Sequence, residues 1–355
     1  MFKQMLATFG VMLGLNATAA AQTCPLPAVA DTVEMNQLTG SDLMTVPVQI
    51  NGKPKQFLLD LSTNPTEVSQ AAVTELGLPE STRGNESIQL NPGAPPAGDS
   101  FKSMNQGQTI SASVYDARNG GGGRDALRTR VRIDAFTLGS ATGNTIQFLV
   151  AKDADMGKSK PYDGLLTNGF FKQYDVELDF GGKKITYLTA TSCADPGQVV
   201  FWSHSAIAMI PMTISDGRAE VQVTIEGHSI NAVIDTSSAH SVMRRDIAER
   251  TFGLKADTPE MMPDGDRKDG IGQQIYSHTF PQISLAGVTA NNVPAAIQTN
   301  SMIHNMHREP VLGSRATFNT ADPRIPDLTL GMDVLHQLHL YVAFDQKTLY
   351  VTAAK

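Results

Sequence analysis

Two aspartates stand in matching settings, Asp60 within Phe57-Leu58-Leu59-Asp60-Leu61-Ser62-Thr63 and Asp235 within Ala232-Val233-Ile234-Asp235-Thr236-Ser237-Ser238. Each ends an apolar run that reads as a buried strand and opens into small hydroxyl residues suited to a tight turn. One such Asp, taken alone, caps a turn through side-chain hydrogen bonds to the backbone. A second copy allows more. Carboxylates brought within hydrogen-bond distance cannot both ionise easily, so the pair titrates in two separated steps. The ionised partner then takes a proton from a water molecule while the protonated one donates to a carbonyl oxygen. That chemistry requires no metal and no cofactor.

The elements around the two aspartates recur in the same order. Gly52 and Gly227 each close a turn eight residues before the Asp. A short amphipathic segment then ends in Gly77-Leu78 or Gly253-Leu254. Further on, Asp134-Ala135-Phe136-Thr137-Leu138-Gly139 echoes Pro281-Gln282-Ile283-Ser284-Leu285-Ala286-Gly287. The halves close alike, with Asp163-Gly164-Leu165-Leu166-Thr167 matching Asp327-Leu328-Thr329-Leu330-Gly331 and each running on to a Phe, Phe180 and Phe344. Landmarks matched in one order are the signature of an internal repeat.

Along the chain, residues 42 to 59 read as two strands joined at Asn51-Gly52-Lys53, and 65 to 76 as a short helix. Residues 79 to 124 include Pro92-Gly93-Ala94-Pro95-Pro96 and Asn119-Gly120-Gly121-Gly122-Gly123, which build no regular element. Residues 130 to 150 alternate like strands. Residues 164 to 188 read as a short helix and a hairpin around Gly181-Gly182, and the second repeat, from Ile207, follows the same plan.

At 355 residues with 41% hydrophobic and 18% charged content, the chain allows about two globular domains with ample core. A net charge of −7 gives no basic face for nucleic acid. Lys3, the apolar stretch Met5 to Leu15 and the small residues around Ala19-Ala20-Ala21 form an expected signal peptide over 1–21, too short to span a bilayer. A periplasmic or secreted protein without membrane insertion is therefore expected. In that setting the even pair Cys24 and Cys193 predicts a disulfide stapling the mature N-terminus to the linker. The division predicted is a lobe over 24–190, a linker over 191–206 and a second lobe over 207–355.

The chain resembles the tandem retropepsin-like bacterial aspartyl proteases, in which two aspartic-protease lobes are fused in one polypeptide. The resemblance implies an all-β fold of two similar barrel lobes with a cleft between them. It also implies an intramolecular pseudo-dimer that needs no second chain, and peptide or unfolded-protein substrates. Asp60 and Asp235 take the places of the catalytic aspartates. Leu61, Ser62 and Thr63, with Thr236, Ser237 and Ser238, form the supporting loops. Leu165-Leu166-Thr167 and Thr329-Leu330-Gly331 hold the motif that packs beneath each loop, and hairpin flaps are expected near Asp116 to Arg124 and Lys268 to Gln273.

Four positions depart from the family pattern. Ser62 and Ser237 replace the glycine that lets backbones approach at the dyad, and a side chain there could crowd or displace the carboxylates. Leu61 replaces the hydroxyl residue that bonds across to the opposite lobe, and Thr167 replaces the underlying glycine. Two functions follow from these residues: an aspartic endopeptidase, or a degraded relative that binds peptides in the cleft without cutting. A zinc hydrolase is a third idea, from His304-x-x-His307 and His336-x-x-His339, whose i, i+3 spacing would share a helix face. No Cys or zincin-type Glu accompanies either pair, so both read as exposed or locally bonded histidines and no metal is assigned.

Overall fold

The computed structural model describes residues 27–63, 65–81, 129–151, 161–171, 174–190, 199–203, 207–215, 218–269, 271–299 and 326–354. The expected signal peptide over 1–21, Cys24, Cys193, His304, His307 and the expected hairpin at Asp116–Arg124 lie outside the described residues, as do most of the long irregular stretch and most of the expected linker over 191–206.

The first half runs β1 (Val29–Glu34), β2 (Asn36–Gln37), β3 (Met44–Ile50), β4 (Lys53–Asp60), β5 (Glu67–Val68), α1 (Gln70–Leu76), β6 (Glu80–Ser81), β7 (Arg130–Leu138), β8 (Ala141–Val150), β9 (Gly164–Thr167), α2 (Asn168–Phe171), β10 (Asp175–Asp179) and β11 (Lys184–Leu188). The turn between β3 and β4 places Asn51 at φ 49° and Gly52 at φ 77°, the mirror-image hairpin turn that matches strand twist. Helix α1 starts where the Ser69 side chain accepts from the Ala72 amide, and stops at Gly77, which is left-handed at φ 60°. Six strands close on themselves in the order β3-β4-β9-β5-β8-β7, because β3 also pairs with β7 from Val48↔Leu138 to Ile50↔Phe136. Closure leaves this ring without an unpaired edge. Inside it the Phe57, Phe136 and Phe148 rings meet at 5.2–6.3 Å.

The second half repeats the plan with β12 (Ala208–Ser215), β13 (Arg218–Ile225), β14 (His228–Ile234), β15 (Ser241–Arg244), α3 (Arg245–Phe252), β16 (Met262–Lys268), β17 (Gln274–Leu285), β18 (Val288–Gln298), β19 (Leu328–Leu330), α4 (Met332–Leu335), β20 (Leu338–Ala343) and β21 (Thr348–Ala353). Its ring runs β13-β14-β19-β15-β18-β17 and closes where Thr224 and Ile225 of β13 meet Ser284 and Ile283 of β17. Glu226 and Gly227, at φ 48° and 82°, reproduce the Asn51-Gly52 turn. The protein is therefore mostly β, with two closed six-strand barrels, as the repeat and the resemblance together led one to expect.

The remaining strands join the halves. β1, β11 and β10 come from the first half, β20, β21 and β12 from the second, and together they form one sheet whose seam is the β10–β20 pair. Two buried polar contacts cross that seam. His339 Nε2 lies 2.9 Å from Glu177 Oε1, and the Tyr341 hydroxyl donates to Asp175 Oδ2 at 2.9 Å. The described part of the linker packs over this sheet. Val199 and Val200 are fully buried with Leu188, Tyr341 and Tyr350, while Trp202 stacks on His339 at 4.1 Å and donates to Thr352 Oγ1 at 3.0 Å.

Candidate active site

Both aspartates sit where a parallel strand pair ends. β4 runs parallel to β9, setting Asp60 opposite Thr167, and β14 runs parallel to β19, after which the Asp235 amide donates to the Leu330 carbonyl at 3.0 Å. Each chain then turns back over its own carboxylate. Asp60, 2% exposed, accepts at Oδ1 from the Ser62 amide (2.8 Å) and hydroxyl (2.7 Å), and at Oδ2 from the Thr63 hydroxyl (2.8 Å). Asp235 accepts at Oδ1 from the Ser237 amide (2.9 Å) and hydroxyl (2.7 Å) and from the Ser238 amide (3.1 Å). The Ser238 hydroxyl turns away to the His240 carbonyl at 2.7 Å, so the two loops match at the serine amide and hydroxyl but differ in their third residue.

The serines at the glycine positions therefore fold back onto their own carboxylates. Neither takes a left-handed backbone, and the aspartates remain near enough to act on each other. Burial raises the carboxyl pKa of Asp235 above the ordinary value, and the charge of Asp60 raises it further; donors from Ser237, and the Ser62 hydroxyl, pull the other way. The stability consequence has a definite sign. A carboxyl whose pKa is raised by folding contributes fully below its unfolded pKa, and that contribution is lost as pH rises through the folded pKa. Asp235→Asn keeps an oxygen for the three Oδ1 donors, so it is expected to raise the Tm at neutral pH by about 2–4 °C, a shift equivalent to roughly 1 kcal/mol in a domain of this size. The difference should vanish below about pH 4, near the ordinary carboxylate value. Calorimetry at the two pH values checks both parts.

One hydroxyl ties the loops together across the lobes. Thr236, 1% exposed, accepts from the Leu61 amide at 3.1 Å and donates to the Leu59 carbonyl at 2.9 Å. Leu61 offers no hydroxyl in return and is wholly buried. Its carbonyl instead accepts from the Asn168 side-chain amide within its own lobe. Thr236→Val keeps the shape and deprives two buried backbone groups of their partner, each worth about 1–3 kcal/mol. A loss of about 2–4 kcal/mol in urea denaturation is the expected result.

Beneath the loops the halves diverge. An added Cβ at Gly331 would lie 2.5 Å from the His240 carbonyl carbon, whereas Thr167 at the matching register fits and meets the Thr66 hydroxyl at 3.1 Å. Ser241 and Asp333, not singled out from the sequence, brace the second loop: Gly331 N donates to Ser241 Oγ (3.0 Å), and Ser241 donates to both Asp333 oxygens (2.6 and 2.8 Å). Asn168 is the first-lobe residue similarly overlooked. Its signal was its place directly after the underlying motif, where Met332 stands in the second half.

The hairpin expected over Lys268–Gln273 lies between β16 and β17. Asp269 Oδ1 accepts from the amides of Ile271 (3.1 Å) and Gln273 (2.8 Å), and Arg245 at the start of α3 donates to Gln273 Oε1 (2.9 Å) while covering the Tyr276 ring. The described His-x-x-His pair does not share a helix face, because α4 ends at Leu335 and β20 begins at Leu338. His336 Nδ1 faces the Met332 carbonyl at 2.6 Å, and His339 is buried at the seam. Among the described residues no cluster of three or more potential metal-ligating side chains occurs, and no helix is long and apolar enough to cross a membrane.

No curated protein sequence matches the chain. Among solved structures it is similar to basic 7S globulin from soybean, at 13% identity over 93% of this chain and 96% of that one with a TM-score of 0.44. It is also similar to conglutin gamma, a basic 7S globulin from lupine seeds, at 11% identity over 92% and 95% with a TM-score of 0.44. A family model described as aspartyl protease matches residues 221–334, the span from β13 to α4 that holds Asp235, its turn and Gly331.

Proposed function

We propose that the protein is an exported aspartic endopeptidase of the tandem retropepsin-like kind, hydrolysing peptide bonds through Asp60 and Asp235 in a cleft between its lobes. The observation that carries this reading is the pair itself: two carboxylates on equivalent turns of two barrels, with the Thr236 hydroxyl tying one turn to the backbone of the other and the charge of Asp60 acting on Asp235. Asp235, carrying the proton, donates to the carbonyl oxygen of the scissile peptide. Asp60 takes a proton from the attacking water, whose oxygen bonds to the carbonyl carbon. Return of that proton to the nitrogen of the resulting tetrahedral adduct lets the C–N bond break while a hydroxyl of the adduct gives its proton back to Asp235, leaving an acid and an amine with the pair as it began. Activity falls as pH rises through the raised pKa of Asp235, so the working range is acidic to mildly acidic.

The same reading takes residues 1–21 as a signal peptide, 24–190 and 207–355 as the lobes and 191–206 as their linker. It takes Cys24 and Cys193 as a disulfide formed after export, and the chain as a monomer. The second reading, a cleft that binds peptides without cutting, is favoured by one feature. The Thr236 hydroxyl crosses to the first loop, and Leu61 at the matching place has no hydroxyl to send back. Purified mature protein assayed with an unstructured peptide library from about pH 3 to 7, the span over which such dyads titrate, separates the two. Cleavage with an acidic optimum supports the enzyme. Saturable peptide binding with no cleavage at any pH supports the binder.

A further inference from the structure

Arg130 opens β7 and is only 6% exposed. Side chains alternate along that strand. Val131 and Ile133 are fully buried in the first barrel, so Arg130 and Arg132 lie on its outer face. Arg130 pairs with Ser81 of β6 on one side and with Leu149 of β8 on the other. A cavity of about 650 Å³ is lined by Arg130 together with Glu80, Ser81, Arg132, Asp134 and Gln147. No residue of either aspartate turn lines it.

The charged groups around the cavity are already engaged, with one exception. Arg132 Nε donates to Asp134 Oδ1 at 3.1 Å, and Glu80 Oε1 accepts from the Gln70 side-chain amide at 2.8 Å. Arg130 has no such partner. Its Nη1 is buried and bonds to nothing, and no carboxylate among the described residues pairs with its guanidinium. An arginine keeps its proton on burial, so only a counter-ion offsets the cost of taking its charge out of water. The planar fork meets a carboxylate with two parallel hydrogen bonds.

We propose that Arg130 and this cavity form a docking site for a carboxylate carried on a peptide, apart from the aspartate pair. Glu80 and Asp134 line the same cavity and repel a second ligand charge, so a carboxylate suits it better than a phosphate dianion. The volume falls within the roughly 300–1,000 Å³ of organic-ligand sites, which suits a carboxylate borne on a larger body. A peptide brings that group from two sources, its C-terminus or an acidic side chain. The peptide as carrier rests on the function proposed above, whereas the carboxylate rests on Arg130 alone.

The test is titration calorimetry of the full-length protein at neutral pH, where both kinds of carboxylate are ionised. Three unstructured peptides of one length serve as probes: one neutral with capped ends, one with a free C-terminal carboxylate, and one capped but carrying a glutamate. At least one acidic peptide should bind about 10–100-fold more tightly than the neutral one, and the tighter of the two names the source. Arg130→Gln should erase that advantage, and Arg130→Lys, which keeps the charge without the fork, should retain only part of it. Equal binding of all three peptides, an advantage that survives Arg130→Gln, or inorganic phosphate binding as tightly as the acidic peptide overturns the site. Should Arg130→Gln fail to fold, the Arg130 Nε–H NMR signal of the unaltered protein, assigned by its absence in Arg130→Lys, gives the answer. It should shift saturably with the acidic peptide and stay still with the neutral one; a signal unmoved by both overturns the site. Cleavage is read separately. An acidic peptide bound through Arg130 yet never cut at any pH retires the endopeptidase reading and leaves the site in place, whereas cleavage with no acidic preference in binding does the reverse.

Discussion

Asp60→Asn and Asp235→Asn are each expected to reduce peptide hydrolysis by about 10³-fold or more while leaving peptide binding within a few-fold of its starting strength, the scale attached to losing a positioned acid or base. The reasoning differs for the two positions. Asparagine at 60 still accepts the Ser62 amide and hydroxyl through its one oxygen and can donate to the Thr63 hydroxyl through its nitrogen, so the turn survives, but an amide cannot take a proton from water. Asparagine at 235 removes the acid whose pKa burial and Asp60 hold up, and nothing else in the second loop replaces that proton. Because the two groups act as one unit, the double variant should be no slower than the worse single one. Initial rates on a quenched peptide, with binding measured by fluorescence anisotropy, read both quantities. Activity that survives either substitution would sink the dyad mechanism.

Gly331→Ala is the largest structural effect expected. The added methyl would sit 2.5 Å from the His240 carbonyl carbon, 2.6 Å from its oxygen and 2.9 Å from the Ser241 amide nitrogen, all of them backbone. Nothing flexible can swing aside. The surrounding turn is held by the Met332 amide on the Ser238 carbonyl at 2.8 Å and by Gly331 N on Ser241 Oγ at 3.0 Å, so relieving the clash breaks the scaffold beneath Asp235. Forced overpacking costs about 1–3 kcal/mol where side chains can yield, and the rigid backbone here places the change at about 3 kcal/mol or more. Urea denaturation of Gly331→Ala should show a clearly lower midpoint with an unchanged slope. Thr167→Ala, at the matching place in the first lobe, should cost less, since that site already accepts a Cβ.

Much of this was legible in the sequence. Turn glycines at 52 and 227, alternating strands and the Gly-Leu helix ends are local signals, set by backbone conformation and by which face of a strand is buried. Repeated in one order, they specified two like lobes and set Asp60 and Asp235 at equivalent strand ends. Their chemistry also followed, because a carboxylate behaves much the same wherever a turn presents it to another. The two overlooked supports, Asn168 and the Ser241–Asp333 couple, are polar residues whose partners lie 90 to 107 positions away, beyond the reach of any spacing rule.

Tertiary structure decided the asymmetry. A serine in place of glycine reads from sequence as crowding, yet both hydroxyls turn onto their own aspartates at 2.7 Å. His336 and His339, read from sequence as exposed or locally bonded, lie on either side of a change from helix to strand, and only the tertiary structure sends His339 into the seam against Glu177. Thr236 reaches a backbone amide 175 residues away. Sequence determined what each residue's own backbone would do and which groups could carry protons; which of those groups meet was settled only when two closed barrels were pressed together, because contact across lobes depends on packing that no local pattern encodes.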